Sequence, residues 1–287
     1  MKNFNFPTSP FNFWAIENQN FEKAKVIILP LPWDLTTAWG KNEGTKRGPQ
    51  AIIQASRQLD DEELIPGKKN YSPIFTFDEK ELSQRPEKAI MEIEKIVGEV
   101  FKENKFPFLL GGVHSVTLGA VKAARREFPK LSVLQLDAHP DLLEEYADNK
   151  YNQGCVMRRI RELKIPAVQV GIRSVDWQSK EYIRKERIKT IFEAPEIPIE
   201  KILKSLTEEV YLTIDLDVFD PSIMPSVENP VPGGLLWQEV LDLIERVSRR
   251  KKIVGADAVE LSPIPGFIAP DILAAKLVLK IIGYILS

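Results

Sequence analysis

Residues 210–221 read VYLTIDLDVFDP. The stretch Val210–Leu216 is apolar enough to be buried on both faces, as strands of a parallel sheet are, and it runs straight into two aspartates, Asp215 and Asp217. On either side, short β-branched runs alternate with longer segments of helical period. Ala24–Leu31, Phe108–Leu110, Leu131–Leu136, Ala167–Ile172 and Lys252–Leu261 predict further strands. Helices are expected from Gly48-Pro49 to about Leu59, after GGVHS through Ala120 to Arg126, near Trp177–Arg187, over Trp237–Arg249 and from Pro270 to Leu286. One more begins at Pro86, which suits a first helical turn, and sets Ile90, Ile93, Val97 and Phe101 on one side. Strands alternating with helices imply βαβ units. The expected fold is therefore α/β: one domain over residues 1–287, with a mainly parallel sheet flanked by helices on both faces. Ligands of such sheets bind outside the carboxyl ends of the strands, where every polar cluster of this sequence falls.

Those clusters have the composition of a metal site. The chain has only two histidines, His114 and His139, and each follows a predicted strand. Asp137-Ala138-His139-Pro140-Asp141 sets three potential ligands at alternate positions, which point to one face if the backbone stays extended. Asp215-Leu216-Asp217 repeats the spacing. One strand-end aspartate is an ordinary cap or turn former. Four together, with no lysine or arginine at the alternate positions, would repel unless cations sat among them. Two divalent ions balance Asp137, Asp141, Asp215 and Asp217, and two imidazoles complete the shells. Carboxylates with two nitrogens and no thiolate suit a hard or borderline ion such as Mn²⁺, whereas a structural zinc site calls for cysteines. Paired metals point to hydrolysis at a polar carbon or phosphorus centre. Glu260, beyond the four aspartates, can hold a cationic substrate group.

Composition narrows the class. Thirty-nine basic against 41 acidic residues give a net charge of -2, which offers nucleic acid no electrostatic footing. No apolar stretch approaches the roughly 20 residues of a membrane span, and the start carries no secretory pattern. A single cysteine, Cys155, excludes an intrachain disulfide. A soluble cytoplasmic protein is expected.

Four motifs in order, GGVHS (111–115), LDAHPD (136–141), TIDLDVFDPSIMPSVENPVPGGL (213–235) and DAVELSP (257–263), resemble the ureohydrolases, the arginase/agmatinase family. Residues 28–56, ILPLPWDLTTAWGKNEGTKRGPQAIIQAS, look like the agmatinase branch. The likeness runs from about Lys25 to Leu286. It implies two Mn²⁺ per chain, one held by His114, Asp137, Asp141 and Asp215, the other by His139, Asp137, Asp215 and Asp217. It implies a hydroxide bridging the metals that attacks a guanidinium carbon, with collapse to urea and an amine. The catalytic set it implies is Asp141, Gln153 and Glu260, with Glu260 binding the guanidinium. It also implies an arginase-like sheet and a homo-oligomer, trimer or hexamer. The substrate expected is agmatine, giving putrescine, or aminopropylagmatine, giving spermidine. Arginine is disfavoured, because LLEEYADNKYNQG (142–154) lacks the serine- and asparagine-rich stretch of arginases.

Two positions depart from the family pattern. Val113 stands where an aspartate is usual and cannot accept a hydrogen bond. Gln153 stands where a histidine credited with shuttling protons is usual, and an amide cannot act as acid or base. The alternative reading is thus a catalytically weak metal-binding member serving as a regulatory or assembly subunit. A third possibility, a metal-dependent amide hydrolase, would bind a single zinc.

Other residues carry structural expectations. Cys155 has no neighbour to activate a thiolate. Arg249-Arg250-Lys251-Lys252 reads as a solvated helix end, and Glu144 and Glu145 as an exposed helix start. Trp33, Trp39 and Phe219 are expected in the core, although residues 33–44 could line a pocket mouth. Gly111 and Gly112 are expected to permit a tight turn rather than to cradle phosphate, since no Walker-type lysine follows.

Overall fold

A computed structural model of the chain describes residues 11–34, 44–60 and 73–287. Eight strands form one sheet in which every pairing is parallel. They are β1 (Val26–Leu31), β2 (Ile74–Thr76), β3 (Phe106–Gly111), β4 (Ser132–Leu136), β5 (Ala167–Ile172), β6 (Ile191–Glu193), β7 (Glu209–Asp215) and β8 (Lys252–Val259). Their order is β2-β1-β3-β8-β7-β4-β5-β6. Pro30 sits inside β1 beyond the last residue paired with β2, on the side where its carbonyl accepts the Lys80 N–H. No strand there needs the N–H that proline lacks.

Helices α1 (Gly48–Ser56), α6 (Ile199–Ser205), α7 (Trp237–Arg250) and α8 (Ala269–Leu286) pack on one face, sharing a core with Val210, Leu212 and Ile214 of β7. Helices α2 (Pro86–Lys102), α3 (Val116–Glu127) and α4 (Val156–Glu162) cover the other, where Tyr211 is buried. A further helix, α5 (Trp177–Lys185), follows β5 and adds Tyr182 and Ile183 to that second core. Burying a large aliphatic side chain contributes about 1.5–3 kcal/mol, so strands buried on both faces make a rigid base. Pro86 is indeed the first residue of α2, and Ile90, Ile93, Val97 and Phe101 are its buried stripe.

The connectivity makes the crevice. Consecutive strands β3 and β4 are separated in space by β8 and β7. The chain leaves β7 toward β8 on one side and the neighbouring β4 toward β5 on the other, which opens a cleft at their carboxyl ends. All the metal-ligand candidates and Glu260 follow those four neighbouring central strands.

Candidate active site

His114 stands three residues past β3; Asp137, His139 and Asp141 follow β4; Asp215 closes β7, with Asp217 two residues on; Glu260 follows β8. His114 Nδ1 lies 3.0 Å from Asp141 Oδ2, 3.2 Å from Asp137 Oδ2 and 3.5 Å from Asp215 Oδ2. His139 Nδ1 lies 2.8 Å from Asp217 Oδ2 and 3.6 Å from Asp137 Oδ1. The side chains form two triads with metal-binding spacing, His114–Asp137–Asp141 and Asp137–His139–Asp217, which share Asp137. Among the described residues, the ion pairs to these four carboxylates come from the two histidines alone.

The six residues converge, but not through an extended backbone. Strand β4 stops at Leu136, and the chain then turns so that the His139 N–H donates to Asp137 Oδ1. Asp141 adopts a left-handed φ of 50°, so residues 137, 139 and 141 do not alternate along a strand. Asp215 likewise heads a 3-10 turn, and its Oδ1 accepts the Asp217 N–H at 2.9 Å. Glu260 also lies in the left-handed region, at φ 67°. Such conformations cost of order 1–3 kcal/mol in a residue with a Cβ and persist where the surroundings over-determine them.

The electrostatics are those of a cage short of positive charge. Burial and the nearby charge of Asp137 raise Asp141 to about 7. Burial, then Asp217 and Asp137, push Asp215 well above the ordinary carboxylate range; burial and Asp137 also raise Asp217. Burial opposes protonation of His139, but hydrogen bonds to Asp137 and Asp217 and their charges carry it up to about 11. For His114, too, burial opposes protonation and is outweighed by Asp137 and Asp141. Asp137 moves the other way: burial would raise it, yet the two adjacent imidazoles bring it below its usual value. Protons are thus retained where divalent cations would replace them.

Three buried networks aim these groups. Thr213 donates its hydroxyl hydrogen to Asp257 Oδ1 at 2.6 Å, so at 2.8 Å it accepts from His114 Nε2–H. That assignment leaves Nδ1 facing the carboxylates without a hydrogen-bond partner, so a cation that displaced its proton would meet the Nδ1 lone pair. Asp257 is itself fully buried and accepts from Thr117 and Tyr211, each at 2.9 Å. An amide chain runs from Arg161 through Gln169 and Gln135 to Asp137 Oδ2. Arg173 spreads its guanidinium over backbone carbonyls, among them Asp217 at 2.6 Å and Val231 at 2.8 Å, and so ties the loops after β5 and β7. No sequence motif assigns a site role to Thr213, Asp257, Gln135, Gln169 or Arg173. For Arg173 the available signal was its place just after the apolar strand β5.

The site opens into a cavity of about 350 Å³. Its wall includes His139, Asp141, Asp215, Asp217, Gln153 and Glu260, together with Ser174, Asp176, Glu228 and Asn229. His114 and Asp137 are fully buried beside it. Glu260 Oε1 accepts the His114 N–H at 2.7 Å, while Oε2 is buried without a hydrogen-bond partner. Burial and then the charge of Glu228 raise Glu260 well above the ordinary range. Gln153 begins a 3-10 turn capped by Asn152, and its Oε1 has no hydrogen-bond partner.

The remaining expectations resolve as follows. Val113 is buried in the apolar core, and the support it cannot give His114 comes from Thr213 and Glu260. Neither Gly111 nor Gly112 adopts a left-handed φ. What position 112 requires is room, since a Cβ there would stand 2.1 Å from the Trp33 carbonyl oxygen. Trp33 and Phe219 are core residues, whereas Trp39 and positions 35–43 lie outside the described residues. Cys155 is buried, and burial lifts its thiol to about 12. Arg249 and Arg250 pair with Glu245 and Glu200, and Lys252 lies over the Phe128 ring. Glu144 is exposed and pairs with Arg158, but no helix starts there: Glu144 and Glu145 lie in the loop between β4 and the 3-10 turn at Gln153. No helix among the described residues is long and apolar enough to cross a membrane.

Comparison with known proteins agrees with this geometry. The model of the arginase family matches residues 24–283. N(1)-aminopropylagmatine ureohydrolase of Synechocystis sp. is 32% identical over 97% of this chain and 95% of its own length. Its counterpart from Thermus thermophilus is 37% identical over 92% and 91%. The crystal structure of agmatine ureohydrolase of Thermoplasma volcanium superposes with a TM-score of 0.81 at 31% identity, covering 93% of this chain and 92% of that one. With the sheet order, the paired triads and a match across nearly the whole sequence in agreement, the chain belongs to the arginase family.

Proposed function

We propose that this chain is a ureohydrolase, taking a guanidino compound and water to urea and an amine: R–NH–C(NH₂)₂⁺ + H₂O → R–NH₃⁺ + OC(NH₂)₂. The observation that carries this reading is the pair of triads sharing Asp137 at the cavity floor. The donor set, carboxylate oxygens with one imidazole nitrogen per triad and no thiolate, fits two Mn²⁺. His114, Asp137, Asp141 and Asp215 hold one ion, and His139, Asp137, Asp215 and Asp217 the other. Bound there, the ions would lower the pKa of water and so make it a nucleophile toward the guanidinium carbon near neutral pH. Thr213 and Asp257 keep His114 in the ligating tautomer, and Gln135 steadies Asp137. Glu260 orients the cationic guanidinium through Oε2 while Oε1 stays on the His114 N–H.

The substrate is agmatine or aminopropylagmatine, yielding putrescine or spermidine. Agmatinase and aminopropylagmatine ureohydrolase are the names its relatives bear. The cavity wall supports an amine-bearing chain over arginine, because among the described residues it presents carboxylates and no lysine or arginine for an α-carboxylate. The enzyme works in the cytoplasm as a single-domain protomer of a homo-oligomer, trimer or hexamer.

Gln153 favours a second reading, a metal-binding subunit with little turnover, since the amide on the cavity wall cannot carry a proton. A urea assay of the manganese-loaded protein with agmatine, aminopropylagmatine and arginine tests both readings, with metal content measured on the same sample. Turnover of an amine-bearing substrate supports the ureohydrolase. Full metal content without turnover, together with activity gained by Gln153→His, supports the subunit.

A further inference from the structure

Beside the metal triads the cavity holds a second group of acids that the ligand motifs leave unexplained. Val227 and Leu261 form an isolated antiparallel bridge, and the Ser262 N–H donates to the Ser226 carbonyl at 2.8 Å. One step along that pairing sets Glu228 opposite Glu260, and both line the cavity. The two carboxylates lie close enough for the charge of Glu228 to act on Glu260, and like charges so placed repel. The repulsion is little relieved by water: Glu260 is 5% exposed and Glu228 half-buried. Glu260 Oε2, buried and without a donor, adds an independent sign that a hydrogen-bonding group belongs between them.

The geometry points to Glu228 as a second substrate-binding carboxylate, which with Glu260 clamps the substrate's guanidinium between two acids. A monoalkylguanidinium is planar and carries five N–H donors on several edges, more than one carboxylate can accept. Two acids gripping its edges leave the faces of the plane open, and the central carbon is attacked from a face. The clamp rests on the ureohydrolase reading for its substrate. It makes its own prediction: Glu228 serves the guanidinium whatever chain is attached.

Glu228→Gln tests this, with manganese content and melting temperature checked against wild type. The clamp predicts that kcat/KM falls about 10- to 100-fold, by similar factors, on agmatine, aminopropylagmatine and butylguanidine. Glu228→Asp, which keeps the charge, should lose less in the same direction and serves if the glutamine variant loses metal or fold. A loss confined to the two amine-bearing substrates would assign Glu228 to a distal ammonium and overturn the clamp, as would no loss on any. Calorimetric binding of methylguanidine to the manganese-loaded protein separates the two proposals. If wild type releases no urea yet binds methylguanidine in a Glu228-dependent way, the clamp stands and the ureohydrolase reading falls. If urea is released while Glu228→Gln changes neither methylguanidine binding nor kcat/KM, the clamp falls alone.

Discussion

The two histidines stand at the carboxyl ends of one sheet in unlike surroundings. His114 is fully buried, its Nε2 anchored on the Thr213–Asp257 pair and its backbone N–H on Glu260. His139 is 20% exposed on a turn, and its Nε2 faces Asn229, itself exposed, at 3.1 Å. One triad is therefore preorganised by buried strand residues, and the other is held by loops open to the cavity. Outer groups that fix a ligand's tautomer and direction govern how tightly a metal is held. On the proposed reading the His114 site is the tight one and the His139 site the exchangeable one.

The largest expected effect comes from the residue common to both. Asp137→Asn should abolish binding of both ions and all urea release, whereas Asp217→Asn should leave about one manganese per chain after gel filtration. Equal losses from the two variants would break the distinction. Next, Thr213→Val keeps the shape of the side chain but leaves His114 Nε2–H without an acceptor. It should weaken the tighter ion alone by about 10- to 100-fold, read by manganese titration. Asp257→Asn should act in the same direction.

A pH series sharpens the comparison further. Without cations, Asp141 at about 7 lies above its value of 3.8 in an unfolded chain, so its contribution is complete below that value and is lost as pH rises through 7. His139, raised to about 11, contributes fully below 6.5 and is lost as pH rises through 11. The cation-free protein should therefore melt at lower temperature at pH 8 than at pH 6. Manganese requires the deprotonated ligands, so its stabilising increment should grow over the same interval. At a hundredfold excess over Kd the increment should reach about 5–10 °C at pH 8. An increment that shrinks with pH would contradict the ligand set. The smallest effect belongs to Asn229→Ala, which should weaken the looser ion a few-fold and spare the tighter one.

The unevenness of the site has a parallel in what could be read from the sequence. Interior strands such as β7 and β5 were legible because burial on both faces gives an unbroken apolar run. Edge strands β2 and β6, three residues each, and helices α4 and α6, seven each, are too short to show a period. The ligand candidates were legible because each follows a central strand within a few residues. Their convergence had a different cause from the one expected: turns and a left-handed Asp141 rather than an extended chain. Thr213, Asp257 and Glu228 were not legible, because their meaning lies in pairings across the fold. Thr213 meets a histidine 99 residues away, and Glu228 meets Glu260 only through the bridge between Val227 and Leu261.

Equilibrium binding of manganese to the metal-stripped chain, followed by electron paramagnetic resonance of the free ion, tests the central claim most directly. Two ions per chain should bind in resolvable steps, with a spin-coupled signal appearing only as the second step fills. Retention of no manganese, or saturation at a single uncoupled ion, would contradict the account.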